Sequence, residues 1–167
     1  DVRIAPDSEF VMDDVKGDCL ELAVEIVPDG AREFGLKVRS SPDGTEQTAV
    51  LYDAPSGNLK VEIDRSTLDR RIRYEPYREP EAVERLPESE RAVPAQEMPF
   101  RLAPGESLVL RVFLDRSVLE AYANGRQAIT QRIYPTRSDS LGVSLFSRGG
   151  GVSVRSFEAW DLAPTHG

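Results

Sequence analysis

Alternation of apolar and polar residues at a period of two runs through most of this chain and limits its fold more than any other feature. Leu20, Leu22, Val24 and Ile26 alternate with Glu21, Ala23 and Glu25. A strand turns successive side chains to opposite faces, so the pattern predicts one face against a core and one toward water. The alternation returns at Phe34-Leu36-Val38 against Lys37 and Arg39, and at Leu59-Val61-Ile63 against Lys60, Glu62 and Asp64. Runs at 108–114, 118–123, 128–134, 141–146 and 152–159 read the same way. Between the runs lie Pro28-Asp29-Gly30, Pro42-Asp43-Gly44, Ser56-Gly57-Asn58, Pro104-Gly105, Asn124-Gly125 and Gly149-Gly150-Gly151. These are turn formers. Asn124-Gly125 predicts a tight hairpin, because both residues tolerate the positive φ such turns need. No segment sustains a 3.6-residue period. Eight or more short strands with regular turns predict an all-β fold, a β-sandwich of two antiparallel sheets of the jelly-roll or concanavalin-like kind.

At 167 residues the chain is expected to form a single domain over 1–167, large enough to bury a core without covalent staples. Residues 75–97 break the strand rhythm with seven Glu, three Arg and four Pro. That composition predicts a long surface loop. Tyr74 stands just before it and Tyr77 near its start. The single cysteine, Cys19, excludes an internal disulfide and a cysteine zinc site, and its neighbours Leu20 and Leu22 suggest a small core thiol. A net charge of −8 argues against nucleic acid or an anionic membrane as partner. No apolar run approaches the roughly 20 residues that span a bilayer, and no signal peptide is visible. The first residue is Asp1 rather than Met, which suggests an excised segment whose leader could lie upstream.

Catalytic signatures are scarce. His166 is the only histidine and sits one residue from the end, so serine–histidine–carboxylate catalysis and histidine-rich metal sites have no basis here. No phosphate-binding glycine pattern occurs, no loop has calcium-site spacing, and no cofactor or metal is expected. With 29 acidic residues, a pair of carboxylates at glycosidase spacing carries no weight.

The informative run is 110–125. If 110–115 and 118–123 are strands, Asp115, Arg116 and Ser117 form a polar break, and Glu120 shares a face with Val118 and Tyr122. A carboxylate in phase with apolar neighbours needs a partner if buried, and Arg39, Arg116 and Arg132 are the candidate cations. Glu120 then either fixes sheet register through an ion pair or lines a polar pit that binds sugar hydroxyls. Both can hold together.

Leu114-Asp115-Arg116-Ser117-Val118-Leu119-Glu120, then Asn124-Gly125 and Gln131-Arg132-Ile133-Tyr134-Pro135, closely resembles the C-terminal β-sandwich of glycoside hydrolase family 32, the invertases, levanases and inulinases. Phe34-Gly35-Leu36-Lys37-Val38-Arg39, Tyr52-Asp53 and Asp64-Arg65-Ser66 follow the family's order, and the resemblance covers about residues 15–162. It implies a non-catalytic module, since the family's W-M-N-D-P-N-G, R-D-P and E-C motifs belong to a five-bladed catalytic propeller and none occurs here. It also implies a parent β-fructosidase, extracellular or periplasmic, with the propeller as partner. The related carbohydrate-binding module family 66 implies a pocket for fructan, holding the terminal fructose of levan or inulin. By that similarity the pocket residues are Glu21, Arg39, Tyr52, Asp53, Asp115, Arg116, Glu120 and Arg132. The alternative implied is an accessory module that buttresses the propeller or a dimer without binding sugar. Trp160, the only tryptophan, is expected in core or inter-domain packing rather than on a sugar.

Overall fold

The computed structural model describes residues 1–75 and 79–163. Tyr77 and His166 lie outside them. Twelve strands form two six-stranded antiparallel sheets, not closed into a barrel, with the orders β1-β12-β3-β8-β9-β10 and β2-β11-β4-β5-β6-β7. The first sheet joins β1 (Val2–Ile4), β12 (Gly151–Asp161), β3 (Cys19–Asp29), β8 (Leu108–Asp115), β9 (Val118–Ala123) and β10 (Gln127–Arg132). The second joins β2 (Ser8–Lys16), β11 (Gly142–Arg148), β4 (Glu33–Ser40), β5 (Thr48–Asp53), β6 (Asn58–Glu62) and β7 (Ala95–Pro99). The predicted sandwich is thus observed.

The alternating runs behave as the period demands. Leu20, Leu22, Val24 and Ile26 are buried, with Leu110, Val112 and Leu114 beside them on β8 and Leu119, Ala121 and Ala123 on β9. The second sheet meets them with Phe34, Leu36 and Val38, Val50 and Tyr52, and Leu59 and Val61. Tyr52 packs edge-on against Phe34 and Phe100, with ring centroids 5.7 and 5.8 Å away. The predicted hairpin at Asn124-Gly125 forms: both residues have positive φ, 50° and 64°, and Arg126 N–H donates to Ala123 O at 3.0 Å.

Four strands escaped the alternation reading. In β5 every residue is buried, because Ala49 and Leu51 on its outer side lie under Phe146 of β11. β2 and β7 are edge strands with little burial, and β1 has three residues. The predicted loop at 75–97 is not all loop: α1 (Pro80–Glu84) buries Val83, a 3₁₀ turn covers Glu88–Glu90, and β7 begins at Ala95. One other expectation fails because it puts an outward position of the alternation inside. Cys19 is half-buried on the outer side of β3, its thiol 3.6 Å from Asp115 Oδ1. Trp160 is 43% exposed and stands outside the core, which leaves the inter-domain half of its expectation.

Buried Glu46 ties three loops together. Its carboxylate accepts from Leu68 N–H at 3.1 Å, Thr136 N–H at 2.9 Å, the Thr136 hydroxyl at 2.6 Å, Arg137 N–H at 3.1 Å and the Ser140 hydroxyl at 2.6 Å. Burial alone would raise its pKa, but the bonds from Ser140, Thr136 and Arg137 outweigh that and hold it below the ordinary 4.5. Glu9 and Asp53 are lowered in the same way, against burial, chiefly by Lys37 and Lys60. A carboxyl with a depressed folded pKa adds stability that is complete above its unfolded pKa and is lost as pH falls through the folded one. The thermal midpoint should therefore stay level from about pH 8 to 5.5 and drop below about pH 4.5. Glu46→Gln should cost roughly 1–3 kcal/mol at pH 7 and flatten the acid limb, as followed by circular dichroism. A midpoint constant down to about pH 3 contradicts this reading.

Gly35, at the centre of β4, has a separate role. A Cβ there would overlap Val50 O and lie 2.8 Å from Leu51 Cα, so only glycine lets β4 and β5 pair. Gly35→Ala should destabilise by about 1–3 kcal/mol in urea titration, as overpacked sites do. Unchanged stability contradicts the close approach.

Candidate functional site

The register of each sheet decides what its outer face carries. Across the first sheet, Trp160, Glu21, Phe113, Glu120 and Thr130 stand in one row. Arg111 and Tyr122 are paired in the adjoining row. Arg111 Nε donates to Glu21 at 2.7 Å, and the Phe113 and Tyr122 rings meet edge-on at 6.0 Å. Val109, Tyr122 and Trp160 are exposed. This face is aromatic and apolar around a central ion pair.

The outer face of the second sheet is built differently. Arg148 ends β11, and its guanidinium lies over the Phe146 ring, with Cζ 4.7 Å from the centroid. From there it reaches diagonally past the side-chain-free Gly35, since Arg148 pairs with Glu33 on β4 while its far partner, Glu62, is on β6. Arg148 Nη1 donates to Glu33 at 3.2 Å and to Glu62 at 2.9 Å, and Nη2 donates to Glu62 at 3.1 Å. The Glu62 carboxylate, then the Glu33 carboxylate, hold the guanidinium protonated even more firmly than usual despite burial. Lys60 Nζ sits 2.5 Å from Asp53 and 3.1 Å from Glu97, and Asp53, before burial is set against it, keeps the amine charged. Asn58 Nδ2 adds a bond to Glu97 at 3.1 Å. Over this network lies a pocket of about 360 Å³, reached by Arg148, Lys60, Glu62, Glu97, Asp64 and Arg65. That size suits a small ligand. Three cations, Arg148, Lys60 and Arg65, and three carboxylates, Glu62, Glu97 and Asp64, line the pocket, so its surface is dense in charge but balanced in sign. It offers charged hydrogen-bonding groups already fixed by one another, which bind neutral hydroxyls with little reordering. Among the described residues no group of three or more His, Cys, Asp or Glu is arranged to hold a metal ion.

The eight residues expected to line a pocket do not converge on one cleft. Glu21 and Glu120 are on the outer face of the first sheet, each opposite Phe113. Glu120 is in phase with Tyr122 toward solvent, not toward the core, so it needs no buried cation; the inward residues of β9 are Leu119, Ala121 and Ala123. Asp115 and Arg116 form the β8–β9 turn, where Arg116 has φ 52° and its N–H donates to Asp18 O at 2.7 Å. Arg132 ends β10, 5.5 Å from the Tyr134 ring centroid. Arg39 has φ 47° beside a bulge in the β4–β11 pairing, which turns its side chain inward. Its Nε donates to Ser140 O at 2.7 Å and its Nη1 to Arg116 O at 2.8 Å, so it clips the β8–β9 turn to the second sheet. Tyr52 is in the core, its hydroxyl accepting from Leu102 N–H at 3.3 Å. Asp53 alone of the eight belongs to the network around Arg148 and Lys60. Arg39→Ala should therefore lower the unfolding midpoint and leave the Arg148 surface intact, as read by urea titration alongside the spectrum of the folded state. Unchanged stability contradicts the clip.

The sequence reading missed Arg148, Glu33 and Glu97 as partners. Lys60 and Glu62 were visible as the polar side of an alternating run, but nothing local says that β11 and β7 bring Arg148 and Glu97 to them.

Residues 2–161 match the family model described as glycosyl hydrolases family 32 C terminal. The chain belongs to that family. It is 31% identical over 169 residues to a levanase of Bacillus subtilis (strain 168), covering 99% of this chain and 22% of that protein. It is 33% identical over 144 residues to beta-fructofuranosidase 1 of Zea mays, covering 77% of this chain and 18% of that protein. The family-32 C-terminal chain thus spans about a fifth of the length of these curated relatives. Among solved structures, an exo-inulinase of Aspergillus awamori superposes with a TM-score of 0.74 at 21% identity, over 98% of this chain and 28% of that one. Carbohydrate-binding module 66 of Bacillus subtilis superposes with a TM-score of 0.64 at 11% identity, over 94% of this chain and 84% of that one. At those identities the likeness is one of fold.

Proposed function

We propose that this domain is the non-catalytic, fructan-binding accessory module of a β-fructosidase, and that it holds a terminal fructosyl unit of levan or inulin on the outer face of its second sheet. The observation that carries the reading is the pre-paired network of Arg148 and Lys60 with four carboxylates, of which Glu62 and Glu97 line a pocket of about 360 Å³. Vicinal hydroxyls of a furanose both donate and accept, which suits carboxylate oxygens flanked by spare N–H groups. The family relatives act on fructosides by name, a levanase and a beta-fructofuranosidase among them, which supports fructan as the sugar. The parent then supplies hydrolysis from a propeller, and polymeric levan places the whole enzyme outside the cytoplasm. Affinity through a few polar bonds belongs in the micromolar to millimolar range.

A second reading is favoured by one observation, the exposed Val109, Tyr122 and Trp160 on the first sheet. Such an apolar surface suits packing against another domain of the parent, whether or not sugar binds.

Isothermal titration with levan, inulin and fructose at matched sugar concentration tests the proposal. Saturable heat is expected with levan or inulin, and Arg148→Ala should weaken it at least about tenfold while the domain stays folded. Loss of binding in Glu120→Ala with retention in Arg148→Ala contradicts the location and moves the pocket to the first sheet. Silence toward all three sugars from a folded domain contradicts sugar binding and leaves the packing role.

A further inference from the structure

The pocket beside Lys60 shares its face with a second cavity of about 300 Å³, lined by Arg32, Glu33, Asp53, Pro55, Arg148 and Gly149. Arg148 belongs to both cavities. The ion pairs run from one into the other. Arg148 Nη1 joins Glu33, in the second cavity, to Glu62, in the first. Lys60, in the first, is paired with Asp53, in the second. Arg148 therefore stands between two spaces of similar size, each with its own carboxylates, and the Lys60–Asp53 pair spans the same boundary.

We propose that these cavities are adjoining sugar subsites, so that the face reads two linked fructosyl units rather than one. This deepens the fructan-binding reading and rests on it. A guanidinium has five N–H donors, and three of those on Arg148 are spent on Glu33 and Glu62. The Nε–H and one Nη2–H are left for hydroxyls of the two rings. Phe146 beneath the guanidinium fixes its plane, so both rings meet a rigid divider. The ammonium of Lys60 has three donors and two carboxylate partners, which leaves one for a hydroxyl in the first cavity. A ligand that fills both cavities gains the contacts of Glu33, Asp53 and Arg32 without a second cost of association.

Titration of the chain with fructose, its β-2,6-linked disaccharide and the corresponding trisaccharide decides the matter. The disaccharide should bind at least about tenfold more tightly than fructose, and the trisaccharide within about twofold of the disaccharide. Arg32→Ala should bring the disaccharide down to the level of fructose, whereas Glu97→Ala should weaken both sugars together. Equal affinity for fructose and disaccharide overturns the two-subsite proposal while leaving fructan binding standing. So does an Arg32→Ala variant that weakens both in the same proportion. Absence of heat with every sugar overturns the underlying binding reading as well.

Discussion

With Leu20, Leu22, Val24 and Ile26 turned into the core, Cys19, Glu21, Ala23 and Glu25 have nowhere to go but outward, and each neighbouring strand inherits the same division. Burial of one face of each sheet is the term that offsets the entropy of ordering the chain. It also fixes the register, since a slip of one residue would exchange core and surface. Every outward residue is thereby assigned to one of two external faces. One collects Trp160, Phe113, Tyr122 and Val109 around the Glu21–Arg111 pair, and the other collects Arg148, Lys60 and their carboxylates.

The second face departs from simple alternation in a way that serves the network. Ala49, Leu51 and Phe146 are apolar outward residues that cluster together and are buried, with the charged ends of Lys37 and Arg148 over the Phe146 ring. Gly35 contributes an absence of side chain, which leaves room for Arg148 to cross from β11 to a carboxylate on β6. Breaking either end of such a pair leaves a charge half-shielded by protein, so the network holds together as a unit. A surface like this is stiff and dense in mutually paired charges. It is suited to a neutral polyhydroxy ligand.

How much of this was legible depended on whether the information was local. Strands with one wet face announced themselves, as did the Asn124-Gly125 turn. β5 did not, because Ala49 and Leu51 make its outer side as apolar as its inner one. β2 did not, because an edge strand with Phe10, Val11, Asp13 and Asp14 pointing mostly to solvent carries no clean period. The motif at 114–135 led to the right family. Yet its charged residues are the ones a turn and an outward face require: Arg116 occupies a positive-φ corner, and Glu120 follows the phase of its strand. The network around Arg148 draws on five strands that are far apart in sequence, from Glu33 to Arg148. Only the strand order of the second sheet brings them together.

The most direct test is a crystal structure of the domain soaked with a short fructan. The account predicts sugar over Arg148 on the outer face of the second sheet, hydrogen-bonded to Glu62, Lys60 or Glu97 and leaving the Arg148–Glu33 pair in place. Sugar seated instead among Trp160, Tyr122 and Glu120 on the first sheet would contradict it, and would make the charged face a structural support alone.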